Sequence, residues 1–227
     1  MSLRDLRLLR AALLLARRGS VLVETHPRNV VYRKVWWEWP RFLKRWPWWL
    51  CPGSWDLGGR ELQPFREQQM RELLQADGEY ADTPTYAAMR EELAARGYVA
   101  EPYLANREAL DAYFQRQARI LEDIRRNGLR AQEEIGGKRS HDITVRIDRE
   151  GRLIKCREGT HRHAMALALE LPRIPVAIDL AHMHWGVDAA RRYPDDTLPR
   201  ALARALTEYG PLRRFPWGAG TTHKPKR

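Results

Sequence analysis

The chain has 227 residues, 44% hydrophobic and 30% charged, a composition typical of a soluble globular protein with a buried core. Its net charge is +11, but the excess lies at the two ends. Residues 1–50 hold 11 basic and 3 acidic side chains, and residues 211–227 hold 5 and none, while the middle holds 24 and 26. The middle of the chain is nearly neutral, which argues against a DNA-binding domain, because such a domain would carry the positive charge on its folded part. No stretch approaches the ~20 apolar residues of a membrane span.

The two cysteines, Cys51 and Cys156, form neither a CxxC pair nor a disulfide framework. This usage suits a reducing compartment, and we therefore expect a cytoplasmic protein.

Leucine and arginine alternate near the N-terminus, which predicts a helix over 3–18 that stops at Gly19. We assign it to the mature protein rather than to a signal peptide, because Arg10 interrupts the apolar run and no small-residue cleavage site follows. Short strands are predicted at 21–23 and 30–32, on either side of a proline-containing turn.

Residues 36–49 contain six of the nine tryptophans, with Arg41, Lys44 and Arg45 among them. Three interpretations are open. The indoles form a small core under the N-terminal strands, or residues 1–50 contact an anionic membrane surface, or the rings stack on nucleic-acid bases. The charge distribution favours a peripheral position at the inner membrane surface over nucleic acid.

The remaining pattern predicts helices, then a β–β–α–β unit, then a last helix, which is an α+β fold. The predicted helices cover 64–75, 84–96, 106–127, 160–171 and 199–209. The predicted strands cover 143–147, 153–154 and 174–178.

The turn between the second strand of this unit and the helix at 160 carries the strongest functional signal. Gly159 permits a tight turn, Thr160 suits an N-cap, and His161 and Arg162 fall in the first turn of the helix. A helix N-terminus with a guanidinium is suited to phosphate, and Glu158 could accept a proton or bind a metal. The structural alternative makes Thr160 a cap and Arg162 an ion-pair partner.

Four segments carry a resemblance to a known domain, and they occur in the same order as in that domain. They are residues 121–129, the hairpin 143–154, the turn Glu158-Gly159-Thr160-His161-Arg162-His163-Ala164 and residues 171–176. Over about 70 residues this order resembles the ParB/sulfiredoxin-like domain. The resemblance implies a small mixed sheet with packed helices at 117–185. A basic, Trp-rich segment (1–51) and a helical region (52–116) would precede it, and a C-terminal helix and basic tail (186–227) would follow.

In those relatives the corresponding turn binds nucleotide phosphates. The resemblance therefore implies a phosphate-binding role for five consecutive residues: Gly159, Thr160, His161, Arg162 and His163. Pro52-Gly53-Ser54-Trp55-Asp56 and Asp82-Thr83-Pro84-Thr85-Tyr86 also resemble segments of a group of bacterial proteins that share this domain, which extends the resemblance to 52–185.

Several residues differ from those of the related proteins, and these differences reduce the number of activities that the resemblance allows. Thr160 stands where sulfiredoxins have their catalytic cysteine, which argues against sulfinic-acid reduction. Only about 40 residues follow Trp185, too few for the helix-turn-helix segment of ParB partition proteins. Free-serine kinases of this fold have aspartate where Glu158 stands, and they use an upstream glutamate base, for which Glu133 and Glu134 are the candidates here.

The sequence thus predicts a nucleotide- or phosphate-binding protein, a kinase-like small-molecule phosphotransferase or a nucleotide hydrolase, using ATP, ADP or CTP with Mg²⁺ and an unknown small-molecule acceptor. Glu158 would be the base or a Mg²⁺ ligand, and His161 would stabilise the transferred charge. One alternative is a non-catalytic, nucleotide-sensing or DNA-binding regulator. The other is a metal-dependent nuclease with His182 and His184 as ligands, since His-x-His on a strand places both rings on one face.

Overall fold

The structure, a computed structural model, describes residues 16–34, 38–62, 64–138, 141–156 and 158–209. It confirms the α+β class, with one seven-stranded mixed sheet and packed helices. The strands are β1 (Val21–Thr25), β2 (Val30–Arg33), β3 (Leu50–Cys51), β4 (Arg60–Glu61), β5 (Ile143–Ile147), β6 (Leu153–Lys155) and β7 (Ile174–His182). The helices are α1 (Pro64–Gln75), α2 (Pro84–Arg96), α3 (Arg107–Asn127), α4 (Thr160–Ala168), α5 (Met183–Arg192) and α6 (Leu198–Tyr209).

The sheet combines strands from both ends of the chain in the order β1-β7-β5-β6-β2-β4, with β3 pairing the far end of β7. β1 runs antiparallel to β7, and β2 runs parallel to β6. β5 pairs antiparallel with β6 and parallel with β7. The two strands predicted before residue 33 are therefore integral to the same sheet as the β5–β6 hairpin.

Local signals set the helix ends as expected. The Thr83 side chain accepts from Tyr86 N–H at the start of α2, and Gly97 closes that helix at φ 78°. Asn106 caps α3 in the same way. The apolar stripe of α3 is buried, and α1 and α3 both pack against α4.

A second, smaller core lies on the face of the sheet away from α1 and α3. It contains Trp39 and Leu43 from the Trp-rich segment, Trp55 from the Pro-Gly-x-Trp-Asp segment, and Ile154 and Leu180 from the sheet. The core interpretation is therefore correct for Trp39 in this smaller core and for Trp49, which is buried in the main core. Trp36 and Trp37 lie outside the described residues.

Three sequence predictions need correction. The predicted helix over 3–18 lies outside the described residues up to 15, and its last residues are extended, because Arg17 forms a β-bridge with Trp48. Helix α4 ends at Ala168 rather than 171, since Glu170 adopts φ 52° and Leu171 N–H bonds Ala166 O.

Strand β7 is longer than predicted, and α5 follows it directly. Helix α5 is not among the predicted elements, and it contains Gly186, a residue that disfavours a helix interior. A Cβ at Gly186 would clash with a methyl group of Leu50, a side chain that is itself buried.

Candidate active site

The turn between β6 and α4 is fixed by a close contact that only glycine allows. Gly159 has φ 70°, and a Cβ on it would lie 2.7 Å from the Ile143 Cα and 2.9 Å from the Ile143 nitrogen. Gly159 is also the N-cap of α4, and Thr160 is the first helical residue, so the prediction that Thr160 is the cap is wrong. Glycine supplies no capping side chain, which leaves the start of α4 without an oxygen from its own cap residue.

Lys155 lies directly beneath this turn and is 2% exposed. Its Nζ donates to Cys156 O at 2.7 Å, Glu158 O at 2.9 Å and Thr160 Oγ1 at 2.9 Å. Burial lowers the pKa of Lys155 to about 8, so the ammonium remains charged at neutral pH. A buried positive charge therefore supports the turn from below.

His161, the second residue of α4, faces α1 and α3. Its Nε2 lies 2.9 Å from the Tyr113 hydroxyl, which contacts Gln69 Oε1 and Arg66 Nη1 at 3.1 Å each. Arg66 Nη2 donates in turn to Glu101 O at 3.1 Å. The single phenolic proton of Tyr113 has two acceptors, so its position sets which ring nitrogen of His161 carries a proton.

The surroundings of His161 are cationic. Burial lowers its pKa to about 4, and the charges of Arg66, Lys155 and Arg116 act in the same direction. The imidazole is therefore neutral at pH 7, and the three cations create a positive potential around it. That potential favours a bound anion over a protonated histidine.

The structure places Arg162 and His163 away from His161. Arg162 Nη1 lies 3.5 Å from Asp142 Oδ1, and its Nη2 donates to Arg130 O. His163 is buried, with Nε2 2.9 Å from Pro27 O, and burial lowers its pKa to about 4. Successive helix residues differ by about 100° in direction, which separates these side chains from that of His161.

Glu158 is exposed beside the turn, and Gly159, Thr160 and His161 lie together at the start of α4. Glu133 and Glu134, the predicted alternatives for a base, lie exposed in a short helical turn after α3.

His182 is the N-cap of α5, and its ring centre lies 4.8 Å from that of His184. His182 ends β7, and its Nδ1 accepts from the backbone N–H of His184 at 3.2 Å. Its Nε2 lies 2.9 Å from Gly53 O. Both ring nitrogens of His182 therefore have protein partners. No group of three or more His, Cys, Asp or Glu suited to a metal occurs within the described ranges.

The Pro-Gly-x-Trp-Asp segment (residues 52–56) is bound to the β5–β6 hairpin by an ion pair and hydrogen bonds. The Asp56 carboxylate accepts from Arg149 Nε at 2.8 Å, Arg149 Nη2 at 2.7 Å and the Arg149 backbone N–H at 3.0 Å. The Trp55 indole N–H donates to Cys51 O at 3.0 Å. Burial opposes ionisation of Asp56, but the bonds from Arg149 outweigh it and lower the pKa of this carboxyl. The segment thus fixes the turn between β5 and β6.

Sequence reasoning missed four members of the cluster around His161: Arg66, Gln69, Tyr113 and Arg116. They lie on α1 and α3, and Tyr113 precedes His161 by 48 residues. Lys155 had a usable signal, since a lysine that ends an apolar strand just before a glycine turn is expected to be buried with oxygen partners.

None of the helices described here combines the length and apolar character needed to cross a bilayer. Comparison of the chain with protein families, with curated proteins and with solved structures found no match. The resemblance to the ParB/sulfiredoxin-like domain therefore stays a prediction.

Proposed function

We propose that the chain binds a phosphorylated small molecule, in the first instance a nucleotide, at the start of α4. The observation that carries this proposal is the convergence of a helix N-terminus with three cations on His161. Arg66, Arg116 and Lys155 come from α1, α3 and β6, and all three act on His161 as positive charges. Helix N–H groups together with such a positive field are the usual elements of a phosphate site.

In this proposal Arg66 is the arginine that binds the phosphate, a role that the sequence suggested for Arg162. Its guanidinium is oriented by Tyr113, Gln69 and Glu101 O, so little side-chain entropy is lost when an anion binds. Arg162 and His163 instead position α4, through Asp142 and Pro27.

The chemistry we propose is transfer of a phosphoryl group to a small-molecule hydroxyl or to water. The bond from phosphorus to the leaving phosphate oxygen breaks as the bond to the acceptor oxygen forms, and Glu158 takes the acceptor proton. Neutral His161 donates a hydrogen bond to the transferred group. A Mg²⁺ carried by the nucleotide would take most of its ligands from phosphate and water. If Glu158 were its protein ligand, water rather than Glu158 would take the acceptor proton.

The test is a thermal shift with ATP, ADP, CTP or GTP in the presence of Mg²⁺, and with pyrophosphate. A ligand at about 100 times its Kd adds about 2.7 kcal/mol of stability, which for a chain of this size raises Tm by about 5–11 °C. We expect at least one of these ligands to do so.

The variant Arg66→Gln/Arg116→Gln removes two cations from the proposed site and should abolish the shift. Its matched control, Arg71→Gln/Arg119→Gln, removes two charges from the same helices away from His161 and should respond as the wild type does. The proposal fails if no phosphate compound shifts Tm, or if both double variants respond equally. Binding without phosphate release or transfer would assign the chain to the non-catalytic, nucleotide-sensing class instead.

A further inference from the structure

Residues 40–48, which we call the basic loop, form a surface with positive charge and exposed aromatic area. Its short helical turn is anchored by Leu43, which is 1% exposed, while Phe42 beside it is 51% exposed. Arg41, Lys44 and Arg45 are all exposed, and the loop contains no acidic residue. One side chain of this turn therefore fixes it to the core, and its neighbours face solvent.

A groove of about 710 Å³ lies between the basic loop and the chain at Arg17 and Arg18. Four cations and two indoles line it, namely Arg17, Arg18, Lys44, Arg146, Trp46 and Trp48. Such a lining offers positive charge for an anion beside rings that are apolar yet able to hydrogen bond.

The floor of the groove has more positive than negative charge. Arg18 and Arg146 both bind the carboxylate of Asp179, so two guanidinium groups share one anion. Arg146 Nη1 is buried and finds no acceptor among the described residues. At the base of the groove two guanidinium groups therefore face one carboxylate, and that of Arg146 also lies 4.3 Å from the centre of the Trp39 ring.

The chain that leads from residues 1–15 enters at this surface. Ala16 O accepts from Trp49 N–H at 3.0 Å, and Arg18 N–H donates to Pro47 O at 2.7 Å. Residues 1–15, which contain three arginines and one aspartate, are therefore joined to the protein beside the basic loop.

We propose that the basic loop and its groove bind the headgroups of an anionic phospholipid surface. Lipid phosphates would pair with Arg17, Lys44 and the exposed arginines, while Phe42 would enter the interface beside Trp46, whose ring centre is 6.0 Å from its own. A long nucleic acid fits less well, because residues 51–210 carry 26 acidic and 24 basic side chains and so add no net positive charge to this surface.

The full chain is tested by co-sedimentation with phosphatidylcholine vesicles with and without phosphatidylglycerol. Binding is expected only with the anionic lipid and should weaken as salt rises. The variant Arg41→Gln/Lys44→Gln/Arg45→Gln should bind about 100-fold more weakly, since each basic side chain near an anionic surface contributes about fivefold. The control Arg90→Gln/Arg119→Gln/Arg173→Gln has the same net charge and should retain wild-type binding.

A second pair of variants tests the aromatic contribution. Phe42→Ala should weaken vesicle binding about fivefold, whereas Tyr103→Ala, which removes a ring that is 71% exposed on another part of the protein, should not. The proposal is overturned if anionic vesicles do not bind the chain, if the two triple variants bind alike, or if a single-stranded DNA oligonucleotide binds and vesicles do not. Melting temperatures of all variants verify that they are folded.

Discussion

The glycine that shapes the β6–α4 turn gives a quantitative test of how the candidate site is built. In Gly159→Ala the new residue must adopt φ 70°, and its Cβ must fit where the Ile143 backbone now lies 2.7 Å away. A left-handed conformation costs about 1–2 kcal/mol for a residue with a side chain. Displacing a central strand adds about 1–3 kcal/mol, because a backbone atom cannot rotate away as a flexible side chain can.

We therefore expect Gly159→Ala to lower the free energy of unfolding by about 2–5 kcal/mol, or Tm by about 4–20 °C. Gly97→Ala is the matched control. Gly97 has a similar φ of 78°, but a Cβ there would meet nothing within 4 Å. It should lose only the conformational part, about 1–2 kcal/mol.

Denaturant unfolding followed by circular dichroism measures both variants against the wild type. The difference between them isolates the contact with Ile143. Equal losses for the two variants would refute the reasoning, since the backbone conformation alone would then account for the requirement for glycine at 159.

Three other outcomes follow from the geometry. Asp56→Ala should cost about 2–4 kcal/mol in denaturant unfolding, because it leaves the half-buried Arg149 guanidinium without its carboxylate; a change near zero would contradict a structural role for this ion pair. Burial lowers the pKa of His163 to about 4 in the folded protein from an ordinary value of 6.5 in the unfolded chain, so its stabilising effect is complete above pH 6.5 and lost as pH falls toward 4. Between neutral pH and pH 5, this group should lower the free energy of unfolding of the wild type by roughly 2 kcal/mol. In His163→Gln, unfolding curves measured at the same two pH values should show a loss smaller by that amount. Burial raises the thiol pKa to about 11 for Cys51 and about 12 for Cys156, so a thiol reagent at pH 8 should modify neither cysteine until denaturant is added; fast reaction of the native chain would show that these sites open.

The sequence by itself determined the elements whose signals are local. Thr83, Pro84 and Gly97 mark α2 because capping oxygens, a fixed proline φ and a left-handed glycine act within one turn of the helix. The alternation of Ile143, Val145 and Ile147 identifies a strand for the same reason, since a sheet face repeats every two residues. The glycine turn before α4 was likewise readable from local pattern.

Only the tertiary structure decided which groups stand next to one another. The neighbours of His161 come from helices far away in the chain, and the partner of Arg162 follows from how α4 rotates against the sheet. The Trp39 indole is buried because it packs on a second apolar face of the sheet. The sequence around Trp39 does not predict this contact. Contacts of this kind depend on how distant elements pack, and packing is a property of the whole core rather than of any segment within it.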